Sequence, residues 1–255
     1  MVLVDIHSHM DFKDFDNDRN DIVESMKENN IFTITNTLNF ENYKYTKELF
    51  KDSSDVVKVV PGLYPQDAEK ITDKDLEVYF NYLKKNEKDF DFIGEIGLDK
   101  HHTKDENLFL IQVKRFRQLL DLAVELDKAV IVHTRRAEVE VLDILKEYKE
   151  KYNFRKVVLH CFSGKKKLIK EIRELGVICS IPLILKNTES FRILVSELAI
   201  TQILVETDSP FLHPEKKRNS PLEIPQIYSE IAQIKGFDKK EIEIILFRNY
   251  QKLLL

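Results

Sequence analysis

Four histidines and two carboxylates recur at the ends of short apolar runs, and side chains of that kind together could hold metal ions. His7 and His9 lie in Asp5-Ile6-His7-Ser8-His9, after the run Val2–Ile6. Glu95 lies in Gly94-Glu95-Ile96-Gly97-Leu98-Asp99, His133 ends Ala129–His133, His160 ends Lys156–His160, and Asp208 follows Gln202–Glu206. In an extended chain, residues two apart share a face, so the imidazoles of His7 and His9 can address one point. Imidazole and carboxylate ligands in this number suit a pair of divalent ions. One site would comprise His7, His9 and Asp208, the other His133 and His160, with Glu95 bridging. Such a centre attracts anionic oxygens, lowers the pKa of a bound water toward ~7 and offsets charge on a leaving oxygen. Glu95 and Asp208 are the catalytic candidates, and Asp208 could take a proton from the attacking water, besides holding metal or instead of it. Asp5 and Glu206 lie two residues before His7 and Asp208, which suggests acceptors for a ligand's second ring N–H. For Glu206 the alternative is a salt bridge inside the mouth of the fold.

The elements that must position these residues can be read from the period of the chain. Eight β-branched runs are bounded by charged or turn residues: 2–6, 31–37, 56–61, 92–96, 129–133, 156–160, 176–181 and 202–206. Between them lie charged stretches with helical spacing, at about 21–29, 41–51, 73–88, 108–126, 139–145, 166–175, 189–199 and 222–234. Leu108, Ile111, Phe116, Leu119, Leu120, Ala123 and Leu126 form one apolar stripe, and Val139, Leu142 and Leu145 another. The strands are apolar throughout, as expected when both faces are covered. Eight strands alternating with eight helices predict a single α/β domain over 1–255, a (β/α)8 TIM-type barrel with an extra C-terminal helix near Lys239–Leu254. A doubly wound open sheet is the runner-up. In a parallel barrel chemistry gathers where strands end, which is where the six candidates fall.

Composition narrows the function classes. The 255 residues include 43% hydrophobic and 33% charged side chains, enough apolar material for one large core, and this excludes intrinsic disorder. Forty Lys+Arg against forty-four Asp+Glu leave a net charge of −4, which excludes a globally basic nucleic-acid coat but not a local patch. Cys161 and Cys179 form no CxxC pair and read as small buried residues in a reducing compartment. The first eleven residues lack the basic region of a signal peptide, and the longest nearly apolar stretch, Gly176 to Leu185, is about half a bilayer span. The expectation is a cytoplasmic protein with neither a membrane nor an obligate protein partner.

The segments His7-Ser8-His9, Gly94-Glu95-Ile96-Gly97-Leu98-Asp99, Val130-Ile131-Val132-His133-Thr134-Arg135, His160-Cys161-Phe162-Ser163-Gly164 and Glu206-Thr207-Asp208-Ser209-Pro210 resemble the TatD family of metal-dependent hydrolases, within the amidohydrolase superfamily. The likeness runs in order over almost the whole chain. It implies a TIM-type barrel, a divalent-metal centre on the same six residues and DNase activity, described as 3′→5′ exonuclease action for some members. The sequence departs from the family at Tyr64, where Gly-x-His-Pro is common, at Lys100, where an aromatic residue is usual, and at Arg136, where an acid is common. These changes drift toward positive charge. Lys100, Lys104, Arg135, Arg136, Lys165, Lys166, Lys167, Lys186, Lys216, Lys217 and Arg218 all fall in the loops expected to rim the site. Tyr64, Arg135, Lys165, Arg218 and Asn219 are the substrate-contact candidates. The last two resemble an Arg-Asn-x-Pro segment of the family, or else form a turn that starts a helix at Pro221. Phe162, Phe211 and Tyr64 are placed to stack on a base. His101 and His102 form an exposed pair or a third metal site.

The predicted function is hydrolysis of DNA phosphodiesters, at accessible or single-stranded ends, by water activated on two divalent ions. Four imidazoles favour zinc or manganese, whereas the family resemblance implies magnesium. An ester or amide hydrolase such as a D-aminoacyl-tRNA deacylase is the second reading. A non-catalytic, metal-containing nucleic-acid-binding protein is the third.

Overall fold

In the computed structural model, which describes residues 2–255, strand and helix alternate along the chain. The order is β1 (Leu3–Ser8), α1 (Arg19–Glu28), β2 (Ile31–Asn36), α2 (Phe40–Leu49), β3 (Val57–Val60), α3 (Pro65–Ala68), α4 (Asp73–Lys85) and β4 (Phe92–Gly97). There follow α5 (Glu106–Glu125), β5 (Ala129–His133), α6 (Glu138–Tyr152), β6 (Val157–Leu159), α7 (Ile169–Leu175) and β7 (Ile178–Ile181). The chain ends with α8 (Glu189–Glu197), β8 (Ile203–Val205), α9 (Ile224–Lys235) and α10 (Lys239–Leu254).

All strand pairings are parallel, in the orders β1-β2-β3 and β4-β5-β6-β7-β8. Backbone hydrogen bonds join the two sheets at both seams. Gly94 donates to the Pro61 carbonyl at 2.8 Å and Leu63 to that of Glu95 at 3.0 Å, while Asp208 donates to His7 at 2.9 Å and His9 to Ser209 at 2.8 Å. The result is the eight-stranded α/β barrel the periodicity predicts, with the runner-up open sheet set aside. Its interior is filled by Val4, Ile6, Ile34, Val60, Phe92, Ile131, Val158, Ile178 and Leu204. The opposite strand faces meet the helices in a second, larger core.

The extra C-terminal helix has a defined place. Tyr250 and Leu253 of α10 join the interior cluster, with Tyr250 stacked on Phe92 at 6.0 Å between centroids, so α10 packs on the end of the barrel where the strands begin. An Asp238–Glu241 capping box starts this helix. Two apolar stripes are shorter than their spacing implied. Leu108 and Val139, in the first turns of α5 and α6, are exposed, whereas Phe116, Leu119, Leu120, Ala123, Leu142 and Leu145 are buried. The short helix α3, begun by Pro65 at its first position, has too few residues to show a period.

Candidate metal centre

The β1–β2 register slips between Asp5 and Ser8, and that slip turns the end of β1 inward. Ser8 faces Thr33 and Thr35 of β2, the same side as Asp5, while His7 and His9 reach the barrel mouth with their Nε2 atoms 3.1 Å apart. His9 Nδ1 lies 3.0 Å from the carbonyl of Asn36 at the end of β2. Period-two alternation placed Asp5 with the histidines as acceptor for a ring N–H, and the bulge overturns that expectation. Asp5 instead accepts from the Thr207 N–H at 2.9 Å and from the hydroxyls of Thr207 and Thr33, tying β1 to β2 and to the end of β8. Burial pushes its pKa up to about 7 against those hydrogen bonds.

A second slip, between Ile93 and Ile96, does the same for β4. Glu95 turns into the mouth, where its Oε1 lies 2.6 Å from His133 Nδ1, and its Oε2 lies 3.8 and 3.7 Å from Nε2 of His7 and His9. Burial raises the Glu95 pKa, but His133, His7 and His160 together hold it well below the carboxylate range. The other nitrogen of His133 lies 3.0 Å from Asp99 Oδ2. Asp99 is buried and also accepts from the backbone N–H of His101 and His102 and from the His102 ring. Its part was missed in the sequence, although it closes one of the quoted motifs, because its partners come from β5 and from its own following turn. Among the described residues the His101–His102 pair completes no further metal-binding group.

His160, just beyond β6, places Nδ1 2.8 Å from Glu206 Oε2, which also accepts from Ser180 of β7 at 2.5 Å. Burial opposes charge on His160, yet Glu206, Asp208 and Glu95 outweigh it and push the ring to about 10. The ring stacks on His7 at 3.7 Å. Asp208 Oδ1 lies 3.4, 3.6 and 3.9 Å from Nε2 of His7, His9 and His160. Asp208 and Cys161 have φ of +52° and +43°, so two left-handed residues immediately follow or form the site at the ends of β8 and β6. Backbone of this kind is retained where the surroundings over-determine it, at a cost of about 1–3 kcal/mol each.

The donor set fits cations. His9, His133 and His160 each have one ring nitrogen on an acceptor outside the mouth, which leaves the other nitrogen facing inward. Those nitrogens converge with one another and with the carboxylates of Glu95 and Asp208, a set of donors that a cation can bind by displacing the protons the acids now hold on the rings. Nitrogens 3.1 Å apart are spaced as two ligands ~2.1 Å from one ion meet at roughly a right angle. Three overlapping groups could hold an ion, His7–His9–Glu95, His7–His160–Asp208 and Glu95–His133–His160, and all six expected ligands are among them.

A model of the family described as TatD related DNase matches residues 4–255. The chain belongs to this TatD family. It is 32% identical over 247 residues to the metal-dependent hydrolase MJ1582 of Methanocaldococcus jannaschii, covering 96% of this chain and 94% of that one. It is also 32% identical over 266 residues to the human deoxyribonuclease TATDN3, covering 98% and 94%. Among solved structures, the TatD homologue YJJV of Escherichia coli superposes with a TM-score of 0.86 at 24% identity over 99% and 97% of the two chains. An amidohydrolase of Saccharomyces cerevisiae gives 0.85 at 15% identity over 99% of each. This TatD chain is thus a metal-dependent hydrolase, with divalent-metal use supported by its relatives and by the His/Glu/Asp groups in its barrel mouth.

In this TatD protein the centre opens into a pocket of about 600 Å³ that differs from the expected basic rim. Arg135 is the one Lys or Arg among the lining residues, while Phe12, Leu38, Tyr64, Ile184, Phe191, Phe211 and Leu212 form an apolar wall. Several rim cations have local partners: Lys100 meets Glu140, Lys166 Glu197 and Lys217 Glu215. Lys165 is exposed and outside the lining. Arg218 forms a forked pair with Asp18 and lies over the Phe15 ring at 5.0 Å, and Asn219 is fully buried, donating to the Thr207 carbonyl at 2.7 Å. The clamp expected of Arg218 and Asn219 is therefore replaced by the turn reading, with Ser220 capping the helical turn that opens at Pro221. Tyr64 does reach the pocket, edge-on to His133 at 5.1 Å. Phe162 does not, since it is buried against Gly164.

Proposed function

We propose that the protein is a metal-dependent phosphodiesterase that cleaves DNA at accessible or single-stranded ends. The observation that carries this reading is the convergence of four imidazoles, Glu95 and Asp208 on one open pocket beside Arg135, in a chain similar to a protein named a deoxyribonuclease. In this reading His7, His9, Glu95, His133, His160 and Asp208 hold two divalent ions. Bound there, such ions polarise the phosphoryl oxygens and make a water nucleophilic near neutral pH.

The chain's own residues supply the rest. Asp99, Glu206 and the Asn36 carbonyl keep His133, His160 and His9 in the tautomers that leave a lone pair facing the pocket. Burial raises the Asp208 pKa, although His160 and His9 oppose the rise, and this prepares the carboxylate to take a proton from the attacking water. In this reading Arg135, on the pocket lining, meets a non-bridging phosphate oxygen. With Asp99 and Glu206 added to Glu95 and Asp208, four carboxylates match the charge of two divalent cations. The centre is then close to neutral, not the +2 that two carboxylates would leave, so Arg135 matters more for binding an anion.

The test is metal-stripped protein given zinc, manganese or magnesium in turn, on end-labelled single- and double-stranded DNA. Ion-dependent release of label supports the reading, and silence with every ion removes it. The apolar wall favours one second reading, an ester hydrolase of the aminoacyl-tRNA type. An aminoacyl ester that is turned over and that outcompetes free diesters would establish it.

A further inference from the structure

The apolar wall of the pocket is not needed to hold cations, and its most exposed part is aromatic. Phe211, in the loop that follows β8, is 49% exposed. Leaving that much ring in water forgoes burial worth ~25 cal/mol per Å² of apolar surface. Phe12 and Phe211 both adjoin the centre, with the Phe211 ring 6.3 Å from that of His9 and Phe12 closer still. Phe12 stacks on His9 at 5.0 Å with planes 27° apart and meets Phe211 edge-to-face at 5.8 Å and 83°. Phe12 is thereby fixed against a candidate ligand, while Phe211 stays open to whatever enters.

We propose that Phe211, backed by Phe12, seats a nucleobase of the substrate next to the bond that is cut. The proposal rests on the phosphodiesterase reading and names the substrate feature the site selects. A flat π system gains on an aromatic face what an alkyl chain does not, and base–aromatic stacking tolerates any base, so the selection is for a base-bearing diester without sequence preference. The pocket volume, about 600 Å³, is in the range of sites that enclose a ligand of nucleotide size. Arg135 on the same lining gives the adjoining phosphate a partner.

The experiment compares thymidylyl-thymidine with the corresponding diester of two abasic tetrahydrofuran nucleosides, using metal-loaded wild type, Phe211→Ala, Phe211→Leu and Phe211→Trp. Wild type should prefer the base-bearing diester. Alanine and leucine should each lower that preference, as a ratio of kcat/KM, about tenfold, mainly through KM, and tryptophan should keep it. Because leucine retains apolar bulk without a ring, its agreement with alanine separates stacking from packing, and melting curves confirm that each variant is folded. An unchanged ratio in a wild type active on both diesters overturns the base seat alone. Inactivity of wild type on both overturns the phosphodiesterase reading and the base seat with it. Loss of aminoacyl-ester turnover in Phe211→Ala would then assign the wall to an acyl group.

Discussion

Replacing Glu206 with glutamine probes how the buried acids set the histidines. Glu206 Oε2 lies 2.8 Å from His160 Nδ1 and accepts from Ser180 at 2.5 Å. A glutamine that keeps its carbonyl oxygen there must put an NH2 where Oε1 now lies, a buried atom without a partner, at a cost of about 1–3 kcal/mol. The flipped amide avoids this by donating to His160 Nδ1, which forces the proton onto Nε2, the nitrogen that faces Glu95 and Asp208. Both outcomes weaken His160 as a ligand. The expected loss in metal affinity is about 10–100-fold, or roughly 1.4–2.8 kcal/mol. Titration of metal-stripped Glu206→Gln with zinc or manganese against a chromophoric chelator measures it, with a thermal melt to show that the protein is folded. Ser180→Ala, which removes one donor and leaves the His160 contact, should lose much less. Affinity within twofold of wild type in a folded Glu206→Gln would refute the role given to Glu206.

Four further outcomes are expected. Asp208→Asn or His133→Ala should abolish ion-dependent hydrolysis while circular dichroism stays that of the wild type; near-normal turnover in either would overturn the assigned roles. Divalent ion at 100 times its Kd should add about 2.7 kcal/mol, or roughly 5–10 °C in the melting temperature, and a chelator should reverse the gain. Arg218→Ala should leave KM within twofold and cost at most ~1 kcal/mol, because the Asp18 pair is exposed; a tenfold rise in KM would return Arg218 to substrate binding. In Gly97→Ala the new Cβ would meet the His133 carbonyl oxygen at 2.1 Å, with φ at +146°. The clash should lower stability by about 1–3 kcal/mol or more and metal affinity with it, as read by melting and chelator competition.

Much of the fold was legible because strand and helix periods are local. The eight apolar runs and the helical stripes between them follow from side-chain patterning over a few residues, and so does the position of His133 at the end of β5. The two slips of register were not legible. They depend on how β1 meets β2 and how β4 meets β5, and they decide that His7 and Glu95 enter the mouth while Asp5 does not. The rim failed for a related reason. Charge in a loop is visible in sequence, but whether Lys100 meets Glu140 or Arg218 meets Asp18 depends on residues 40 and 200 positions away.

The amino-acid order alone thus determined the barrel, the family and the six imidazole and carboxylate side chains that could bind metal. Tertiary structure decided which buried acids orient those imidazoles, which cations are already paired, and which aromatic side chains reach the pocket beside the centre. Patterning acts between near neighbours along the chain, whereas tautomer, ion pairing and pocket lining are set by groups that meet only when distant strands and loops close around one point.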